Sequence, residues 1–215
     1  MKLVWSPETA SKAYIDTVRS CEVSKGSSVA ELVSAMAAGW NTQLVVETWS
    51  KGGAVATSIG LAVATHHTGG RHICVVPDEE SRSEYVDAMR KSGQQAEVVV
   101  GQPEVAVEGL EGIDFLVVDG TRNDFVRILR VAKLGHRGAV LVCKNASSRA
   151  ASDFRWRSVL DRKSRIVRSV LLPVGQGLDI AHIGAKGGDK VKGKSKSKWI
   201  RHIDEQSGEE YVIRT

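Results

Sequence analysis

The sequence predicts one α/β domain with a doubly wound, mostly parallel β-sheet. Five apolar runs of strand length lie between residues 43 and 144, and their apolar character is nearly continuous. Most of them are followed by a segment with helical spacing or a glycine turn. Parallel strands that helices cover on both faces produce this pattern. A chain of 215 residues suffices for one good core but not for two ordinary domains.

Two helices are expected ahead of the sheet. Ser6, Pro7 and Glu8 form a typical helix start, with a hydroxyl N-cap, proline in the first turn and an acid near the positive end of the helix. Apolar residues then recur at helical spacing. A second helix is predicted from Ser28 to the glycine that ends it, Gly39.

Strands and helices alternate after this point. The predicted strands of the sheet are residues 43–47, 72–77, 96–100, 114–119 and 138–144, with two closing strands at 165–174 and 178–184. The predicted helices between them are residues 53–66, 78–93, 123–134 and 148–163. The α/β domain is therefore expected over residues 1–184, with the two leading helices in residues 1–40.

The end of the chain differs in composition. Residues 185–198 are rich in Gly, Ser and Lys and are expected to form a linker, and residues 199–215 are expected to form a β-hairpin. The whole net charge of +5 lies in residues 186–198, which hold six Lys and one Asp. A solvated linker is one interpretation, and contact with polyanions such as nucleic acid is the other. That contact would use Lys186, Lys190, Lys192, Lys194, Lys196 and Lys198.

Several classes of protein are not expected. No apolar run reaches the 18 residues of a membrane span. Cys21, Cys74 and Cys143 are far apart in sequence and predict reduced, buried thiols instead of a disulfide framework. No His, Cys and Asp spacing matches zinc ligation. We expect a cytoplasmic protein, with nuclear import through the Lys-rich segment as the alternative.

Five stretches carry a resemblance to a known family. They are ETWSKGGAVATSIG (47–60), VVVGQ (98–102), DFLVVDGTRNDF (114–125), GAVLVCKN (138–145) and VLLPVGQGLDIA (170–181). In this order they resemble the small class I O-methyltransferases of the catechol and caffeoyl-coenzyme A type. The chain is also similar to a plant family of proteins of unknown function with a methyltransferase-like domain. The resemblance implies the fold of class I S-adenosylmethionine-dependent methyltransferases.

The first loop departs from the family's pattern, which reads acid-x-Gly-x-Gly-x-Gly. Glu47 and Gly53 match it, but Trp49 and Lys51 stand where two glycines are expected. Side chains there would fill cofactor space or force a different turn. One alternative is a plain turn that binds nothing. Another is an anion site made by Lys51 with the amides of Gly52 and Gly53.

The resemblance also implies cofactor contacts after the next two strands. The family places an acid for the ribose hydroxyls where this chain has Val76. Asp78 is expected to cap the following helix, with a ribose contact as the alternative. Gly101 and Gln102 follow the third strand, where the family often has a glycine and an acid near the adenine. The candidate cofactor-binding residues are therefore Glu47, Lys51, Gly52, Gly53, Asp78, Gly101 and Gln102.

The residues expected near the methyl acceptor also depart from the family's pattern. Metal-dependent members hold a divalent ion with an Asp after strand four and an Asp-Asn pair after strand five. Here Asp119 and Asn145 remain, while Lys144 replaces the middle ligand and is expected to pair with Asp119. Arg122 stands where the catechol branch has a lysine base, and a guanidinium cannot accept a proton. We expect no metal, and Asp119, Lys144 and Asn145 are the candidate catalytic residues.

These observations predict a methyltransferase-like protein with degenerate cofactor and metal motifs and an unknown acceptor. Binding of S-adenosylmethionine is expected to be weak, and any methyl transfer would be metal-independent. The alternative is a pseudoenzyme, a non-catalytic protein of this fold. It would bind another, anionic small molecule at the carboxyl-terminal edge of the sheet, a protein partner or nucleic acid.

Overall fold

In the computed structural model, residues 4–21, 27–148, 151, 153–161, 164–185, 199–203 and 210–214 are described. The helices are α1 (Pro7–Cys21), α2 (Ser27–Gly39), α3 (Ala56–Thr68), α4 (Glu79–Lys91), α5 (Pro103–Glu108), α6 (Phe125–Val131) and α7 (Trp156–Val159). The strands are β1 (Leu44–Thr48), β2 (Arg71–Val76), β3 (Glu97–Val100), β4 (Glu111–Ile113), β5 (Phe115–Asp119), β6 (Lys133–Leu134), β7 (Ala139–Lys144), β8 (Ile166–Leu172), β9 (Leu178–Ile183), β10 (Trp199–Ile203) and β11 (Glu210–Arg214).

The main sheet has seven strands in the order β3-β2-β1-β5-β7-β9-β8. The pairs from β3 to β7 are parallel, and β9 runs antiparallel to both of its neighbours. The order of the strands reverses between β1 and β5, so the crevice for a ligand is expected at the carboxyl ends of these two strands. The prediction of a doubly wound, mostly parallel sheet is therefore confirmed, with the two closing strands in place.

Layers of helices bury both faces of the sheet. Helices α1 to α3 cover one face, where Val45, Phe115 and Val142 pack against Leu61. Helices α5 to α7 cover the other face, where residues of β5 and β7 pack against Ile128. Helices α2 and α3 pack closely at Gly60. A Cβ on this residue would lie only 2.6 Å from the carbonyl oxygen of the facing α2 backbone. A glycine at position 60 is thus required by packing.

Helix starts follow the capping rules that the sequence predicted. The Oγ of Ser6 accepts a hydrogen bond from the amide of Thr9 at 3.3 Å, at the start of α1. Asp78 caps α4 by accepting the amide N–H of Ser81 at 2.7 Å. This contact satisfies one of the four unpaired amides at the helix start.

Two predicted helices are shorter in the structure. The helix expected over 148–163 is reduced, among the described residues there, to a 3-10 position at Ala151 and the four residues of α7. Phe154 and Trp156 are both buried, and an extended Arg155 between them places both rings against the core. The helix expected over 123–134 ends at Val131 because β6 then pairs with β4 in a small second sheet.

The C-terminal strands β10 and β11 pair in antiparallel orientation, with Trp199 opposite Arg214. The Lys-rich segment at 186–198 lies outside the described residues. Within the described ranges, no helix is long and apolar enough to cross a membrane.

Candidate functional site

Glu47, the acid of the first loop pattern, lies inside the fold. Only 1% of its surface is exposed. Its Oε1 accepts hydrogen bonds from Tyr85 Oη at 2.9 Å and from His72 Nε2 at 3.0 Å, the latter with the imidazole as donor. Burial by itself raises the pKa of Glu47, but the hydrogen bond and charge interaction with His72, together with the charge of Lys144, lower it below its ordinary value. Glu47 is therefore an internal, ionised acceptor.

Tyr85, on α4, is the third member of this cluster, with Glu47 and His72. Burial, followed by the charge of Glu47, raises the pKa of the Tyr85 phenol far above its ordinary value. Its hydroxyl therefore stays protonated and donates to Glu47. No pattern in the sequence pointed to this contact between Tyr85 and Glu47.

Trp49 fills the space between the first loop and α4. It is 3% exposed and packs edge-on against Tyr85, with ring centroids 5.4 Å apart. A Cβ on Gly53 would lie 2.9 Å from Trp49 Nε1 and 2.9 Å from the carbonyl oxygen of Ser50. Gly53 thus makes room for the indole, which takes the place that the family's pattern leaves open with a glycine.

Five buried polar atoms have no hydrogen-bond partner in the described part of the chain. They are Glu47 Oε2, Thr48 Oγ1, Trp49 Nε1, Ser58 Oγ and His72 Nδ1. Ser58 lies close enough to help lower the pKa of Glu47, although its hydroxyl makes no hydrogen bond of standard geometry. Buried polar groups are normally paired, so their concentration around the first loop marks this region as unusual.

Lys51 and Gly52 of the same loop face acidic side chains of α4. The ammonium of Lys51 forms an exposed ion pair with Glu80, and the amide of Gly52 donates to Glu84 Oε1 at 3.0 Å. The hydrogen bond with Glu80 raises the pKa of Lys51. The anion site that the sequence suggested at Lys51 is not favoured by this arrangement, because carboxylates already hold both donors.

The remaining candidate cofactor contacts lie at the ends of the neighbouring strands β2 and β3. Val76 ends β2 and is fully buried. Asp78 is engaged as the cap of α4, which lowers its pKa through hydrogen bonds from Ser81. The amide of Gly101 donates to the carbonyl of Val76 at 2.9 Å, and Gln102 is exposed at the start of α5.

Asp119, Lys144 and Asn145 do come together at the carboxyl ends of β5 and β7. Asp119 Oδ1 accepts hydrogen bonds from Asn145 Nδ2 at 2.9 Å and from the amide and hydroxyl of Thr121 at 2.9 and 2.7 Å. Lys144 Nζ lies 3.7 Å from Asp119 Oδ2, so the expected ion pair is present. Burial raises the pKa of Asp119, but these hydrogen bonds and the charge of Lys144 outweigh it and lower the pKa.

This arrangement fits a divalent ion poorly. One oxygen of Asp119 takes three donors and the other faces an ammonium. A hard cation needs several free oxygens. Over the described ranges, no three His, Cys, Asp or Glu side chains form a possible metal site.

Arg122 lies nearby but is engaged elsewhere. Its Nε and one terminal nitrogen donate to the two carboxylate oxygens of Asp124 at 3.0 and 2.6 Å. The hydrogen bond with Asp124 raises the pKa of Arg122. A guanidinium in such a pair positions the loop and cannot act as a base.

Two cavities flank the carboxyl edge of the sheet. One, of about 270 Å³, lies between the first loop and α4. The other, of about 400 Å³, lies beyond the end of β7 and includes Phe154 and Asp179 in its wall. Asp179 accepts a hydrogen bond from Trp156 Nε1 at 2.7 Å, and burial raises its pKa.

The class I cofactor is S-adenosylmethionine, and the residues present fit it poorly. Trp49 and Val76 are both buried. They stand where the O-methyltransferases that the sequence resembles have a glycine and the acid that binds the ribose hydroxyls. The cavity beside the loop is smaller than the 300–1,000 Å³ that ligands of that size occupy. Glu47 is turned inward to His72 and Tyr85. Neither Glu47 nor Val76 therefore offers an accessible carboxylate to the cofactor's ribose.

Solved structures of methyltransferases resemble the chain. A methyltransferase from Geobacter sulfurreducens is 20% identical, with a TM-score of 0.57, and the match covers 81% of this chain and 88% of that chain. An S-adenosylhomocysteine-bound methyltransferase from Podospora anserina is 15% identical, with a TM-score of 0.56 over 85% and 90% of the two chains. An O-methyltransferase from Streptomyces achromogenes, in complex with S-adenosylmethionine, is 20% identical, with a TM-score of 0.53 over 85% and 92%.

These likenesses establish the fold, which is that of the class I S-adenosylmethionine-dependent methyltransferases. At the level of sequence, no curated protein matches the chain. One family model, described as "Protein of unknown function (DUF1442)", matches residues 1–215. The chain therefore belongs to the family of proteins of unknown function DUF1442.

Proposed function

We propose that this chain is a methyltransferase-fold protein that binds S-adenosylmethionine weakly or not at all and acts by binding a ligand instead of by methyl transfer. One observation carries the proposal: the chain's own groups already engage the two acids of the cofactor edge, Glu47 and Asp119. His72 and Tyr85 hold Glu47, and Lys144 with its neighbours holds Asp119.

Lys144 has a particular place in this proposal. Its ammonium pairs with Asp119 and also lowers the pKa of Glu47. S-adenosylmethionine carries its positive charges on a sulfonium and an ammonium, and Lys144, beside Asp119, supplies positive charge from within the protein. A cationic cofactor would have to compete with Lys144 for Asp119.

Calorimetric titration with S-adenosylmethionine and S-adenosylhomocysteine tests the proposal. Losing one charged hydrogen-bond pair weakens binding by roughly ten- to a hundredfold, so we expect dissociation constants well above the micromolar range. Submicromolar binding of S-adenosylhomocysteine would refute the proposal. Lys144→Met should bind S-adenosylmethionine more tightly than the wild type, whereas Lys133→Met, which alters an exposed ion pair, should not.

A metal-independent methyltransferase is the catalytic alternative. Whether the protein only binds a ligand or is a metal-independent methyltransferase, magnesium and calcium should not raise its melting temperature. An ion that bound only the folded state would have to stabilise it. A magnesium-dependent rise would contradict the assignment of Lys144 as the cation at Asp119.

Contact with polyanions is a second candidate function. Its support is the concentration of the whole net charge in residues 186–198. The six lysines there would supply salt-sensitive attraction that does not depend on nucleic acid sequence. Retention on heparin, measured with and without this segment, tests the proposal.

A further inference from the structure

A row of three aromatic rings lies beside the last two strands of the main sheet. Trp5 and Trp40 pack edge-on with ring centroids 5.3 Å apart, and Trp40 packs edge-on against His182 at 5.5 Å. His182 belongs to β9, which is the neighbour of the edge strand β8. The row therefore links the segment ahead of α1 to the edge of the sheet, far from the acids of the cofactor edge.

Trp5 ends this row with a ring that is held in place and partly open to solvent. A Cβ on Gly39 would overlap three atoms of its six-membered ring, so one side of the indole lies against the end of α2. The exposed fraction of Trp5 is 42%. An anchored indole with an open side is a platform on which a nucleic acid base can stack.

Two exposed arginines lie beside the row. Arg168, on β8, stands opposite His182 in the register of the two strands. Burial, and after it the charge of Arg168, lowers the pKa of His182. Arg165 precedes β8, and its Nε would lie 2.9 Å from a Cβ on Gly184. Within the part of the chain that the structure describes, neither arginine forms an ion pair.

The Lys-rich segment leaves the folded domain at this same place. The amide of Gly184 donates to the carbonyl of Arg165 at 2.9 Å. Residues 186–198, which hold the chain's net charge of +5, follow after one further residue. The two arginines therefore place unpaired positive charge on the folded domain directly beside the start of the Lys-rich segment.

We propose that Trp5, Arg165 and Arg168 form a surface that binds single-stranded nucleic acid. A base stacks on Trp5, and the two guanidiniums bind phosphates. The Lys-rich segment adds attraction that does not depend on sequence. The inference rests on the second candidate function, contact with polyanions, and it names the class of polyanion and the surface of the folded domain that binds it.

An anionic lipid surface is the other partner that arginines next to a tryptophan could suggest. More than half of the surface of Trp5 is covered, by Gly39 and Trp40 among others, so the indole is not free to enter a lipid interface. A base needs only the open side of the ring. The covered position of Trp5 thus favours a single strand, whose bases are unpaired.

Variants of Trp5 test the stacking contact. Fluorescence anisotropy of a labelled oligo(dT) of about 15 nucleotides, titrated with the full chain, measures binding. Trp5→Leu should weaken this binding by about tenfold or more, whereas Trp5→Phe keeps a ring and should bind nearly as the wild type does. Neither variant should change the salt concentration that elutes the protein from heparin, which has no bases.

Arg168→Gln tests the phosphate contact and alters only an exposed side chain. It should weaken oligo(dT) binding by about tenfold. It should also reduce the slope of log binding constant against log salt concentration by about 0.7, the value for one phosphate contact on a single strand. Arg130→Gln is the matched control, because Arg130 is an exposed arginine of α6, which covers the opposite face of the sheet.

Four results would overturn the inference. They are equal effects of Arg168→Gln and Arg130→Gln, wild-type binding of oligo(dT) by Trp5→Leu, an equal loss of duplex and single-strand binding in Trp5→Leu, and binding of phosphatidylserine vesicles without binding of oligo(dT). Heparin separates this inference from the function on which it rests. A wild type that heparin does not retain refutes polyanion contact altogether. Retention of the wild type, with oligo(dT) binding that Trp5→Leu leaves unchanged, refutes only the proposed surface.

Discussion

Replacing Lys144 by Met removes the cation beside Asp119 and keeps a side chain of similar length. Lys144 Nζ lies 3.7 Å from Asp119 Oδ2, and the two side chains are only 12% and 20% exposed. Coulomb's law at that distance gives about 1 kcal/mol at the dielectric constant of water and about 4 kcal/mol at an effective value of about 20. Partial burial places the expected loss of unfolding free energy between these limits, at about 2 kcal/mol.

The matched control is Lys133→Met. Lys133 pairs with Glu111 at 3.5 Å, a similar distance, but these side chains are 51% and 79% exposed. An exposed pair contributes only about 0–1 kcal/mol. Urea unfolding of both variants and of the wild type measures the difference. If Lys144→Met costs no more than Lys133→Met, Lys144 does not compensate buried charge and the reasoning fails. A double-mutant cycle with Asp119→Asn isolates the pair.

Three further predictions concern packing, pH and charge. Gly60→Ala should lower the unfolding free energy, measured by urea titration, by about 1–3 kcal/mol, because the added Cβ overpacks against the backbone of α2. Gly109→Ala is the control and should be nearly neutral in the same titration, because no heavy atom lies closer than 3.4 Å to its added Cβ. The pKa of Glu47 is lowered in the folded state, so the ionised Glu47 stabilises the fold above the unfolded value of 4.5, and this stabilisation is lost as pH falls through the folded pKa. When the free energy of unfolding is measured against pH, Glu47→Gln should therefore reduce the slope on the acid side. The control variant Glu111→Gln, at an exposed position, should leave that slope unchanged. Deleting 186–215 should preserve the cooperative unfolding of the α/β domain and reduce the salt needed for elution from heparin; equal retention of both proteins would contradict the electrostatic part.

Much of the candidate site could be read from the sequence because the family's pattern fixes where the loops lie. The pairing of Lys144 with Asp119 followed from the resemblance, which places both residues where the metal-dependent members hold their ion. The role of Asp78 as a helix cap followed from local capping preference. By contrast, the partners of Glu47 come from β2 and α4 and that of Lys51 from α4, and both elements are distant in sequence from the first loop. Only the spacing of Glu80 and Glu84, one helical turn apart, hinted that α4 presents an acidic face.

The sequence by itself determined the order of the elements and the class of the fold. Strand and helix periods are local properties, and continuous apolar strands require a covered, parallel sheet. It also determined that net charge gathers in one segment. Tertiary structure alone decided that Trp49 turns inward and that acids of α4 hold Lys51 and the amide of Gly52. These outcomes depend on how closely α4 approaches the first loop, and no periodicity in the chain encodes that distance.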